Sequence, residues 1–380
     1  MRARAAALAA GALAIAACGA KDEAGGQRTG REGGGAQAAG SPAARPRPAL
    51  TDAQLAGQHV VFPFAVRSAP RALLARIRRG EAAGVVFLGA NLGTPAQVRA
   101  LTRALRRASR TSSPPTLRAP LLLMVDQEGG SVQRLPGAPS RGAPAMAATG
   151  RPAVARAEGR AAAATLRAAG MNVDLAPVVD VVRPESALHE EGRGFGFSAA
   201  SAARFGAAFT RGLRAGGVAA TAKHFPGFGA APRNTDLGAV RIRVGLRELR
   251  GVDRVPFAAA VRAGAGLVML SSAIYPALSR VPAVLSPRVV QRELRDGLGF
   301  GGVTISDDLE APAFAPHGGA TGAALRATRA GVDLLLFART YEGADRAARA
   351  LTGALRSGRV DRAALEASLA RVLALHAALR

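Results

Sequence analysis

Five groups of chemically able side chains each follow a short apolar run in this chain: Asp126-Gln127-Glu128, Asp180, Lys223-His224, Ser271-Ser272 and Asp307-Asp308. Strands often end in polar turns, so one such coincidence says little. Five of them, bringing acids, an amine, an imidazole and hydroxyls to one place, point to an active site that moves protons and holds a polar ligand. Lys223 stands out further. Arg fills almost every basic position, and Lys21 and Lys223 are the two lysines of the chain. A lone Lys in the body suits a site that needs a compact ammonium rather than a planar fork. The few His and the one Cys show no ligand spacing, so the sequence implies no metal and no cofactor.

The elements that must carry these residues are legible as an alternation. Short β-branched apolar runs lie at 59–65, 84–88, 121–125, 173–179, 218–222, 266–270, 302–305 and 332–337. Between them fall Ala/Arg/Leu segments of helical period, such as 96–108, 198–215, 246–263 and 320–330. Strands separated by helices pair in parallel, and eight of them predict closure into a (β/α)8 barrel of the TIM type, with extra terminal helices. No Gly-rich phosphate fingerprint follows the first strand, which argues against an open doubly wound sheet. Barrel enzymes place their chemistry at the C-terminal ends of the strands, where the five polar groups stand.

Composition narrows the function class. The formal net charge is +25 and aromatics are 4%. Such a charge raises nucleic-acid binding, but Arg is scattered in pairs such as Arg78-Arg79 and Arg106-Arg107, without a dense basic run or aromatic-basic interleaving. No nucleic-acid partner is expected; an attraction to anionic envelope surfaces is the weaker implication of the charge.

Residues 1–17 read as a signal peptide: Arg2 and Arg4 precede an apolar run too short to span a bilayer. The run ends in Ile15-Ala16-Ala17-Cys18, which resembles a bacterial lipobox, and Cys18 is the sole cysteine. Lipidation there would anchor the protein to the outer face of a membrane, or to the periplasmic side where an outer membrane exists. The remainder of 18–50 is Gly/Ala/Arg/Pro-rich and reads as a flexible tether, with a mean reach of roughly 30 Å for a Gly-rich coil. One catalytic domain is expected over 51–380, acting as a monomer.

The motifs resemble glycoside hydrolase family 3, in particular its single-domain bacterial β-N-acetylglucosaminidases. The matching segments run in order: Val125-Asp126-Gln127-Glu128-Gly129-Gly130 with Val132-Gln133-Arg134, Asp174-Leu175-Ala176-Pro177-Val178-Val179-Asp180, Gly192-Arg193-Gly194-Phe195-Gly196, Lys223-His224-Phe225-Pro226-Gly227, and Gly302-Val303-Thr304-Ile305-Ser306-Asp307-Asp308. The resemblance implies that Asp126 binds sugar hydroxyls, that Arg134 and Arg193 donate to the sugar or orient Asp126, and that Lys223 and His224 hold the sugar. It makes Asp307 the nucleophile. Strict alternation would turn Lys223 and His224 to opposite faces, unless the chain already turns there. The same alternation turns Asp308 away, where a helix N-cap suits it.

One loop departs from the family pattern. Where the pattern has Lys-His-Phe-Pro-Gly-His-Gly and then Asp-Ser-His, with the last His as acid/base, this chain has Phe228 for the first loop His, and Asn234-Thr235-Asp236 at the end. Ser131 stands for a usual Arg, and Ser272 where a His is common. In one reading Asp236 takes the acid/base role, its carboxyl raised by partial burial and by Asp307. In another the loop has lost catalysis and the barrel binds a glycan without cleaving it; in a third Asp236 only starts a turn. The expectation carried forward is a retaining β-glycosidase acting on chain ends, with N-acetylglucosamine of cell-wall glycans as the implied sugar. A β-glucosidase-like preference and a non-catalytic glycan-binding lipoprotein are the alternatives.

Overall fold

The computed structural model describes residues 49–118 and 121–379. The signal peptide, Cys18 and all but the last two residues of the tether lie outside the described residues.

All eight apolar runs form strands: β1 (Val60–Phe62), β2 (Gly84–Phe87), β3 (Leu122–Val125), β4 (Val173–Asp174), β5 (Ala219–Phe225), β6 (Leu267–Leu270), β7 (Val303–Ser306) and β8 (Leu335–Leu336). Every neighbour pairs in parallel in the order β8-β1-β2-β3-β4-β5-β6-β7. A bridge from Ile305 to Leu334, with Ser306 N–H donating to Leu334 O at 2.9 Å, brings β7 against β8 and closes the ring. These strands are buried along their whole length, covered outside by helices and filled inside by side chains. That double burial is why they read as unbroken apolar runs rather than as alternating ones.

The helices expected at 96–108, 198–215 and 320–330 are present as Pro95–Arg110, Ala199–Ala215 and Gly319–Ala330. The segment 246–263 is less regular: a short helix Leu246–Glu248, a π turn Leu249–Asp253, then Arg254–Arg262. Pro256 lacks the N–H that an unbroken helical ladder would use at that point. A core with few aromatics is possible because small residues let helices approach closely. A Cβ on Gly159 would lie 2.4 Å from Phe209 O, and one on Gly212 would lie 2.3 Å from Arg156 O. Helices Pro152–Ala169 and Ala199–Ala215 therefore touch backbone to backbone at these two positions.

Two features were not foreseen. A small antiparallel hairpin, Gln127–Gly129 with Val132–Gln133, stands directly after β3. The run 173–179 yields a strand of only two residues before Pro177, which cannot donate to a ladder; pairing resumes as a single bridge between Val178 and Lys223.

Candidate active site

A cavity of about 420 Å³ opens at the C-terminal ends of the strands. Its wall includes Asp126, Arg134, Arg193, Lys223, His224, Asp236 and Asp307; of the other strand-end groups, Asp180, Ser271 and Ser272 are buried and do not line it.

The floor is an ion-pair network. Lys223 Nζ lies 2.6 Å from Asp126 Oδ1 and 2.8 Å from Glu128 Oε1, with its side chain 3% exposed. Glu128 in turn accepts both arms of Arg193, from Nε at 2.9 Å and Nη2 at 2.8 Å. Asp126 and Glu128 are two apart after β3, so both face the same way. Burial opposes the charge on Glu128, but the Lys223 ammonium and the Arg193 guanidinium outweigh it and hold its carboxyl at about 2. For Lys223 too burial acts against the charge, and the carboxylates of Asp126 and Glu128 outweigh it and raise its value. Beneath them Asp174 is buried, its Oδ1 accepting the Gln127 N–H at 3.0 Å, and burial pushes its carboxyl well above the usual range.

Arg193 pairs with Glu128 and gives its remaining arm to Glu191 at 2.7 Å, so any hold on Asp126 passes through Glu128 and Lys223. Arg134 lines the cavity with its backbone N–H bound to Gln127 Oε1 at 3.1 Å, and its guanidinium makes no ion pair among the described residues.

Lys223 and His224 do face one cavity. The β5–β6 ladder shifts register between Ala222 and Phe225, so strict alternation does not hold there. The Lys223–His224 peptide is cis. Asp180, fully buried, lies 2.9 Å from His224 Nδ1 and accepts the backbone N–H of His224 at 2.9 Å and of Phe228 at 2.6 Å. A carboxylate on Nδ1 fixes the ring and leaves Nε2 for the cavity. The turn that follows is tightly seated: a Cβ on Gly229 would meet Val181 O at 1.8 Å.

Across the cavity, Asp307 and Asp308 follow β7 and differ sharply. Both Asp308 oxygens are committed to the scaffold, Oδ1 accepting from Glu310 N and Ala338 N at 3.0 Å and Oδ2 from Arg339 Nε at 2.9 Å. Burial and the neighbouring Asp307 raise the Asp308 carboxyl to about 6 despite these bonds. Asp307 takes one bond, from the Asp308 N–H at 2.8 Å, and makes no ion pair among the described residues. Its other oxygen is left for a ligand.

Asp236 sits on the loop above, in the 3-10 turn Thr235–Leu237. Its side chain is 58% exposed and lies 3.6 Å from Arg339. Partial burial and the charge of Asp307 raise its carboxyl, against the pull of Arg339. Asn234 accepts the backbone N–H of Asp236 at 3.0 Å rather than bonding its carboxylate.

Sequence reasoning passed over the roles of Glu128, Asp180, Glu191 and Arg339. Glu128 was findable, two positions from Asp126 at the end of a strand. Asp180 was visible as a strand-end acid but not as the partner of His224. Glu191 and Arg339 lie on loops where no periodic signal exists. The two substituted serines differ: Ser131 Oγ donates to Glu191 O at 2.7 Å, while Ser272 is buried and its Oγ lacks a partner among the described residues.

Residues 56–375 match the glycosyl hydrolase family 3 N terminal domain. An uncharacterized secreted glycosyl hydrolase of Arthroderma benhamiae is 36% identical over 344 residues, covering 88% of this chain and 96% of that protein. Among solved structures, a family 3 β-N-acetylglucosaminidase of Paenibacillus superposes with a TM-score of 0.81 at 32% identity, over 87% of this chain but only 63% of that one. A β-N-acetylhexosaminidase of Beutenbergia cavernae gives 0.78 at 32% identity, over 87% of this chain and 100% of that one. The chain is a glycoside hydrolase and belongs to family 3.

Proposed function

We propose that this protein is a retaining β-N-acetylglucosaminidase that removes terminal N-acetylglucosamine from cell-wall glycans. The observation that carries the reading is one cavity holding two carboxyls of opposite character: Asp307, anchored at a strand end with an uncommitted oxygen, and Asp236, on a loop and raised toward its protonated form. A strand-end carboxylate with an oxygen free to attack, and a second carboxyl whose value is raised, are what a double-displacement glycosidase requires.

In the first step an Asp307 oxygen attacks the anomeric carbon. As that bond forms, the bond to the leaving oxygen breaks, and Asp236 gives that oxygen its proton. In the second step Asp236, now ionised, takes a proton from water; the water oxygen attacks the same carbon and Asp307 is released. Asp126, Lys223, His224 and Arg134 hold the sugar hydroxyls, and Arg193 keeps the floor in place through Glu128. The closed ionic floor favours a chain end over a through-running polymer. The solved structures described as a β-N-acetylglucosaminidase and a β-N-acetylhexosaminidase support this choice of sugar.

We also propose that the barrel is exported and held outside the membrane by lipid on Cys18, with 18–50 as its tether. Supporting this are the lipobox-like Ile15-Ala16-Ala17-Cys18 and a relative described as secreted. Among the described residues no helix is long and apolar enough to cross a membrane.

The test is a panel of chromogenic aryl β-glycosides. The N-acetylglucosaminide should be cleaved fastest, and Asp307→Ala should lower the rate by at least about 10⁴-fold with the circular dichroism spectrum unchanged. A faster aryl glucoside would move the sugar assignment, and an inert wild type would leave a glycan-binding barrel.

A further inference from the structure

Asn234 occupies a place where two demands meet. Its Oδ1 accepts the Asp236 N–H at 3.0 Å, starting the turn that carries Asp236. Its Nδ2 donates to Glu191 Oε1 at 3.1 Å. Asp would start such a turn as well as Asn does. Asp has no donor, however, and would set a second carboxylate against Glu191. The need for Asn, in the position where the resembled pattern has Asp, is therefore created by Glu191.

Glu191 is itself held. Its Oε2 takes the Arg193 Nη1 at 2.7 Å, and its backbone carbonyl accepts from Ser131 Oγ at 2.7 Å. Arg193 continues to Glu128 and so to Lys223. A continuous series of bonds thus runs from the cavity floor through Glu128, Arg193, Glu191 and Asn234 to the turn bearing Asp236. Among the described residues, the other tie between the Asp236 side chain and the barrel is Arg339, at 3.6 Å and 44% exposed, which screening weakens. Glu191 also adds its charge to those that raise the Asp236 carboxyl.

We propose that Glu191 is the positioning residue of the acid/base loop, with Asn234 as its matched donor, so that loop and sugar-binding floor are seated by one network. The inference rests on the reading of Asp236 as acid/base. A loop out of place cannot protonate a leaving oxygen, so its loss is felt most by substrates whose leaving group needs that proton.

The experiment compares kcat/KM for two aryl N-acetylglucosaminides, one with an activated dinitrophenyl leaving group and one with unsubstituted phenyl. Asn234→Asp should lower the phenyl value about tenfold further than the dinitrophenyl value, the size expected for a lost hydrogen bond to a charged group. Glu191→Gln combined with Asn234→Asp reverses donor and acceptor, since the Gln amide now donates to the new carboxylate. The double variant should return the phenyl/dinitrophenyl ratio to within about threefold of wild type. An equal fall for both substrates, no fall for either, or a double variant no better than Asn234→Asp overturns the proposal. An active wild type with any of these results sinks the role of Glu191 alone. A wild type inert toward both substrates sinks the acid/base reading, and the inference with it.

Discussion

Lys223 shows at a single residue why the site is built as it is. Two carboxylate oxygens, on Asp126 and Glu128, lie within 2.8 Å of one buried nitrogen. A compact ammonium fits between them, and a planar guanidinium would not. The sequence made this residue conspicuous by its rarity in an Arg-rich chain, and Asp126, His224 and Asp307 were legible as strand-end polar residues. Glu191 and Arg339 were not, because a loop residue's partners are set by folding and not by spacing. The network also sets a pH limit. Glu128 titrates at about 2 when folded against an ordinary 4.5, so its contribution to stability is complete above about pH 4.5 and disappears as pH falls toward about 2. Its size is on the order of 3 kcal/mol. Thermal unfolding followed by circular dichroism should show wild type losing stability between about pH 5 and about pH 3, and Glu128→Gln, less stable throughout, losing clearly less over that interval. Parallel curves would mean that other acids set the limit.

At the scale of elements, the barrel was readable because parallel strands buried on both faces are mostly unbroken apolar runs, with Lys223 and His224 near the end of β5 among the charged exceptions. All eight runs in the sequence became strands. What could not be read were the places where local chemistry breaks the pattern. Pro177 cuts β4 to two residues, the β5–β6 register shift lets Lys223 and His224 share a cavity, and a π turn precedes Pro256. The hairpin after β3 also went unseen, since Gly129 and Gly130, both with positive φ, look in sequence like an ordinary loop. Several of these irregularities gather around the site: Leu175 just after the shortened β4, Lys223 and His224 at the register shift, and Glu128 and Val132 of the hairpin all line the cavity. A regular barrel would present its strand ends alike, and the departures are what give the cavity its unlike walls.

At the scale of the whole molecule, the proposal is that the N-terminal segment holds the family 3 barrel at a membrane through Cys18. The anchor has its own test. Wild type expressed in bacteria should partition with detergent, and Cys18→Ala should pass to the aqueous phase at unchanged specific activity; aqueous wild type would remove the lipid from the account. The proposed chemistry depends on Asp307 bonding to the sugar during turnover. The most direct measurement is peptide mass spectrometry after incubation with a fluorinated slow substrate of N-acetylglucosamine type. The account predicts one sugar esterified to the peptide containing Asp307, with Asp308 unmodified. A protein that turns over substrate yet traps no sugar, or traps it on another residue, would contradict it.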